Sequence, residues 1–271
     1  MDYVGHFRRE VRAFEAAGRR VAGREAPPVP SCAGWTMSDL VMHLAGVHRV
    51  VTAVIEERLA QAPDPSGLAH LLPSDTEGWP LSGRAPSLGV LPVGLVDWFA
   101  EGAAVLEEVF VRTPPDTRVW TWSAEQTAGF WARMQMIEAA VHRWDAENAL
   151  GEPGDMDAEL AADAVAQTFE VMVPGRRALK GAPAGAGETF RFVCDEGSWT
   201  VRFEGDRLVR GGSPDMGLSG PDGEVSGPGV EVSGTASQLM LFLWQRIPAE
   251  RLAVSGDRGL LDRYFELVPP M

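Results

Sequence analysis

The chain has 271 residues, enough for one large or two ordinary domains, and two are expected. A net charge of -14 and a sequence pI near 4.8 argue against nucleic acid or an anionic membrane surface as the main partner, because either would repel it. Cys32 and Cys194 form no CxxC pair and suggest neither a disulfide framework nor a thiolate metal site, which suits a reducing cytosol. The first twenty residues scatter charges where a signal peptide would have an apolar core, and no later run reaches membrane-spanning length. A soluble, cytoplasmic protein is therefore expected.

Val4, Phe7, Val11, Phe14 and Val21 recur at helical spacing, so residues 2–22 form an amphipathic helix. The prolines of "APPVPSCAGW" then make a loop. A second helix starts at "TMSDLVMHLAGVHRVVTAVIEERL", where Thr36 and Asp39 have capping-box spacing, and its apolar stripe is Leu40, Leu44, Val47, Val51 and Val54. Residues 62–93 are rich in Pro, Gly and Ser, and a loop of that length is expected to be a lid or binding loop. "VGLVDWFAEGAAVLEEVFVR" gives a third helix, and a fourth runs from near Thr127 to about Leu150. Four helices in residues 1–150 suffice for a bundle.

Residues 151–271 change character. One helix is expected in "DAELAADAVAQTFEVMV", followed by a break at "GAPAGAG". "TFRFVCD", "SWTVRFEG" and "RLVRGG" are short alternating segments bounded by turn residues, and "GVEVSG" is a further strand candidate. "ASQLMLFLWQRI" and "DRGLLDRYFEL" read as helices, and the Gly-rich stretch from Gly211 to Gly229 reads as a loop. The fold class is α+β, with an all-helical domain over 1–150 and a smaller α/β domain over 151–271.

The chemistry concentrates in "IEAAVHRWDAE". Glu138 precedes His142 by four residues, about one helical turn, so both project from one side of the helix. Alone, the pair is explained equally well by a surface contact. His43, however, falls between Leu40 and Val47 in the expected core-facing stripe, where an unpartnered ring costs on the order of 1 to 3 kcal/mol. It either bonds a backbone carbonyl or Glu138, or shares a metal with the fourth helix. Two imidazoles and one carboxylate suit a catalytic zinc site with an open position, and equally a non-haem Fe(II) site. His48 lies about 140° around the helix from His43 and reads as a flank residue. His6 and His70 read as solvent-exposed. Asp145 either orients His142 as an acceptor or pairs at the surface with Arg143 or a neighbouring helix.

"CAGWTMSDLVMHLAGVHR" resembles the N-terminal motif of the mycothiol-dependent maleylpyruvate isomerase family, and "FWARMQMIEAAVHRWDAENALG" resembles its second motif, Glu-x-x-x-His followed by Arg-x-Asp. "VSGTASQLMLFLWQRIP" and "LAVSGDRGLL" resemble its smaller C-terminal domain. The resemblance covers nearly the whole chain and implies a DinB-like four-helix bundle holding a divalent metal, usually zinc, followed by a domain related to sterol-carrier folds. It carries the metal ligands onto His43, Glu138 and His142. Many relatives have a further histidine just before the glutamate, where this chain has Ile137, a departure that touches the substrate rather than the metal. The relatives' C-terminal arginine matches Arg246, which would contact a substrate anion or else be an exposed helix-end cation.

The implied activity uses mycothiol as thiol cosubstrate. A metal-bound thiolate adds to an electrophilic small molecule, giving either a cis/trans isomerase or a thiol S-transferase. Cys32, in a Pro-rich loop with no neighbouring base, and Cys194, in a strand, offer no catalytic thiol of the chain's own. Two other readings stand beside this one: a non-catalytic metal- or ligand-binding protein of the same fold, and a metal-free bundle in which His43 hydrogen-bonds Glu138.

Overall fold

Helical periodicity becomes packing in α1, Tyr3–Val21, where Phe7, Val11 and Phe14 are buried. The structure is a computed structural model that describes residues 1–64, 71–80, 84–211 and 229–270. Two units emerge, Met1–Asp155 and Met156–Met271.

The first unit is helical. Helices α2, Met37–Glu56, α3, Val93–Arg112, and α4, Ala128–Ala149, join α1, which packs on α3 and α4 while α2 packs on the same two. Each stripe fills a common core that includes Leu40, Leu44, Phe99, Leu106, Ile137 and Val141. The start of α2 follows from its sequence, because the Thr36 backbone N–H donates to Asp39 Oδ2 at 2.8 Å. Helix α4 begins where the Thr127 hydroxyl accepts from the Phe130 N–H at 3.1 Å. By length and composition alone α2 could cross a membrane, contrary to the expectation from the sequence, but 56% of that window is buried inside the protein. A central bundle helix is apolar around most of its circumference for the same reason a membrane helix is.

The second unit opens with α5, Ala158–Gln167, which continues through a π-helical turn, Thr168–Met172, into α6, Val173–Lys180. The helix therefore outruns the segment expected from periodicity and stops at Gly181, whose φ of 60° ends it. Strands β1, Gly185–Cys194, β2, Gly197–Gly205, β3, Arg207–Gly211, β4, Gly229–Ser233, and β5, Ala253–Gly256, form one sheet of order β3-β2-β1-β4-β5. Pairing is antiparallel except between β1 and β4. Phe190 and Phe192, two apart on β1, share the buried face with Phe203 of β2. Helices α7, Ala236–Leu243, and α8, Gly259–Leu267, add Phe242 and Tyr264 to the same core. Helix α7 ends short of the expected Ile247, and Gln245 just beyond it takes a left-handed φ of 58°. The architecture is α+β, a helical unit followed by a mixed-sheet unit, as the sequence leads one to expect.

Candidate metal centre

Helices α2 and α4 set the site. His43, Glu138 and His142 each offer one ligand atom, and these atoms lie within 4.8 Å of one another. His43 Nε2 is 3.0 Å from Glu138 Oε1, and the two imidazole rings meet edge to face with centroids 5.1 Å apart. The helical turn between Glu138 and His142 puts both on the side of α4 that His43 faces.

The two members on α4 are held from behind. Gln135, one turn before Glu138, donates from Nε2 to Glu138 Oε2 at 2.9 Å. His142 Nδ1 is 2.9 Å from Asp145 Oδ2, a wholly buried carboxylate, which leaves Nε2 of the ring for a ligand. Asp145 is fixed in turn by the Ser31 hydroxyl, which donates to Oδ1 at 2.6 Å, and by the Cys32 thiol, which donates to Oδ2 at 3.3 Å. The Trp35 ring stands 5.2 Å from that of His43. The proline loop before α2 thus supplies three residues around the cluster. Of these, Ser31 and the contact made by Cys32 are not legible as site features in the sequence, since each works through Asp145, distant in the chain, whereas Gln135 carries a signal that sequence reasoning missed, its i,i+3 spacing from Glu138.

Burial penalises an ionised Glu138, but the hydrogen bond and charge of His43, the charge of His142 and the Gln135 amide outweigh it and hold the carboxyl below its usual range. Burial lowers the pKa of His142 despite the opposing pull of Asp145, which favours the neutral ring a metal needs.

Three histidine positions differ from the sequence expectation. The core stripe of α2 runs through Leu40, Leu44, His48 and Val51, so His48 is fully buried and not a flank residue. His43 lies at the stripe's margin with 32% of its side chain exposed. The buried His48 ring packs against Phe7 and Phe99, at 5.3 and 5.4 Å. His6 is likewise buried, at 4% exposure, with Nδ1 beside the Arg9 guanidinium rather than in solvent. Arg143 does not pair with Asp145, because Glu10 and Glu147 take its guanidinium at 2.9 and 2.7 Å. Cys32 has a carboxylate neighbour after all, though one that accepts the thiol proton without being freed to act as a base. Cys194 ends β1. Arg246 belongs to the second unit, just past α7, with Nη1 donating to the Trp244 carbonyl at 2.8 Å. His70 and parts of the loop over 62–93 lie outside the described residues, as does most of the stretch from Gly211 to Gly229.

The sequence pattern of the mycothiol maleylpyruvate isomerase N-terminal domain matches residues 7–147, and that of the corresponding C-terminal domain matches residues 159–263. No curated protein matches. Among solved structures, the mycothiol-dependent maleylpyruvate isomerase and a histidine-to-alanine variant of it each align over 94% of this chain and 93% of their own, with a TM-score of 0.55 at 16% identity. Identity that low bears on fold alone, and the fold agrees over both units. With both domain patterns in order along one chain, the protein belongs to the mycothiol-dependent maleylpyruvate isomerase family.

Proposed function

We propose that this chain is a divalent-metal-dependent, mycothiol-dependent enzyme acting on an electrophilic small molecule, with His43, Glu138 and His142 as the metal ligands. The observation that carries the reading is the convergence of three donors within 4.8 Å, with the other polar atoms of Glu138 and His142 already engaged. The donor set suits zinc and equally non-haem Fe(II), and zinc is the metal we propose. Three protein ligands leave a coordination position open. When bound, the metal supplies the positive charge that lowers a thiol's pKa and keeps it as thiolate.

The chain's own groups prepare that chemistry. Asp145 accepts from His142 Nδ1 and fixes the tautomer, Gln135 fixes the Glu138 rotamer, and the partial exposure of His43 leaves the cluster reachable from solvent. Arg246 is the residue we assign to a substrate anion. Thiolate addition to an activated double bond, rotation and expulsion of the thiol give a cis/trans isomerase, whereas release of the thioether gives a thiol S-transferase. A second reading has its own support, since His43 and Glu138 already satisfy one another at 3.0 Å without a metal.

The deciding experiment incubates zinc-loaded protein with mycothiol and a maleylpyruvate-type electrophile and follows free thiol and substrate geometry together. Isomerised substrate at constant thiol supports the isomerase, and stoichiometric thiol loss supports the transferase. Neither change, in protein shown to hold zinc, supports a non-catalytic binding protein of the same fold.

A further inference from the structure

Two successive arginines on α6 are buried in the second unit, and they are treated very differently. Arg177 gives Nη1 to the Leu267 carbonyl at 2.7 Å and Nη2 to the Pro183 and Gly205 carbonyls at 3.2 and 3.1 Å. Arg176, only 4% exposed, has no hydrogen-bond or ion-pair partner among the described residues, and its Nε is sealed from solvent. A guanidinium carries five N–H donors and cannot shed its proton, so it does not escape this situation by titrating. The Trp244 ring, 5.3 Å from its central carbon, offers a π face but no acceptor.

The surroundings sharpen the contrast. Arg246 adds a second positive charge near enough to weigh against Arg176, and the Tyr264 hydroxyl close by is buried with no partner of its own. Although the chain has 38 acidic residues against 24 basic ones, no carboxylate among the described residues meets Arg176. The π turn at Thr168–Met172 lies one turn before Arg176 on the same continuous helix, and such turns recur at functional sites.

We propose that the second unit contains a binding site for a small carboxylate, with Arg176 as its charged anchor and the Tyr264 hydroxyl beside it. A planar carboxylate matches the guanidinium fork with two parallel hydrogen bonds. The site requires neither the metal nor a thiol and so goes beyond the reading above.

The test is thermal unfolding of the full chain across an acetate series, with inorganic phosphate and chloride series at matched ionic strength. Measurements are made in wild type and His142→Ala, both treated with the neutral chelator phenanthroline, so that a metal-held carboxylate cannot contribute. A saturable rise in Tm with acetate is expected in both proteins, with no comparable rise in chloride. Arg176→Gln should abolish the response while unfolding no lower than wild type in chloride, because it removes an unpaired buried charge. Arg176→Lys should weaken the response, keeping the charge and losing the fork. No saturable acetate response, a response to phosphate alone, or an acetate response undiminished in Arg176→Gln would each overturn the assignment. If Arg176→Gln unfolds well below wild type in chloride, the arginine is a structural element instead, and the proposal fails on that ground too.

Discussion

Asp145 is wholly buried and receives three donors, the Ser31 hydroxyl, the Cys32 thiol and the His142 ring. Its position predicts its effect. Asp145→Asn keeps the shape but offers one oxygen where there were two, so the His142 tautomer is no longer imposed and zinc affinity should fall by roughly 10- to 100-fold in a chelator competition. His48 makes a different prediction. Burial pushes its pKa down to about 3, outweighing the opposing charge of Glu138. In the unfolded chain the ring protonates near pH 6.5, so the unfolded state binds the extra proton first and stability falls as pH drops from about 6.5 toward 3. The loss is about 2 kcal/mol at pH 5 and on the order of 4 kcal/mol near pH 3. His48→Leu should flatten the stability curve between pH 7 and 5 in urea unfolding, and an unchanged slope would place the acid sensitivity elsewhere. At this scale the sequence exposes residue types and spacings but not exposure. The His43, Glu138 and His142 set is readable from helical spacing and from the family motifs, yet the burial of His43 and His48 is reversed. The expected stripe through Leu40, Leu44, Val47, Val51 and Val54 is buried at every member but Val47, and His48, the next residue along the helix, is buried in its place.

The two helices that bear the candidate ligands depend on their ends. Thr127 caps α4 with a hydroxyl to the Phe130 N–H, and Thr127→Ala should cost about 1 kcal/mol of unfolding free energy, read from the denaturant midpoint at unchanged m. A cost near zero would mean that water or a neighbouring group already satisfies that end. The four bundle helices are legible because each combines a cap or proline start with a sustained apolar stripe. Thr36, Pro92 and Thr127 stand at three of the starts. Other elements carry no such signal. The π turn at Thr168–Met172 is a one-residue shift within a helical pattern, and periodicity does not resolve it. Strand β5 has four residues, Ala-Val-Ser-Gly, of which only Val254 is β-branched, and it exists through its pairing with β4. It is an edge strand defined by its neighbour more than by its own propensity.

For the whole molecule, the charge of -14 accords with small-molecule partners, and the fold agrees with that of the solved mycothiol-dependent maleylpyruvate isomerase over 94% of the chain. Metal binding should be visible as linkage. Zinc at about 100 times its dissociation constant should stabilise the folded chain by about 2.7 kcal/mol, with a Tm that climbs with zinc concentration, and a Tm indifferent to zinc would mean that the folded state does not bind it preferentially. The most direct test of the central claim is elemental analysis of purified wild type beside His43→Ala, Glu138→Ala and His142→Ala, with circular dichroism to show that each remains folded. The account predicts near one equivalent of a divalent metal in wild type and its loss in all three folded variants. Wild type that is metal-free and cannot be loaded, or variants that retain the ion, would contradict it and leave the His43–Glu138 hydrogen bond as a structural pair.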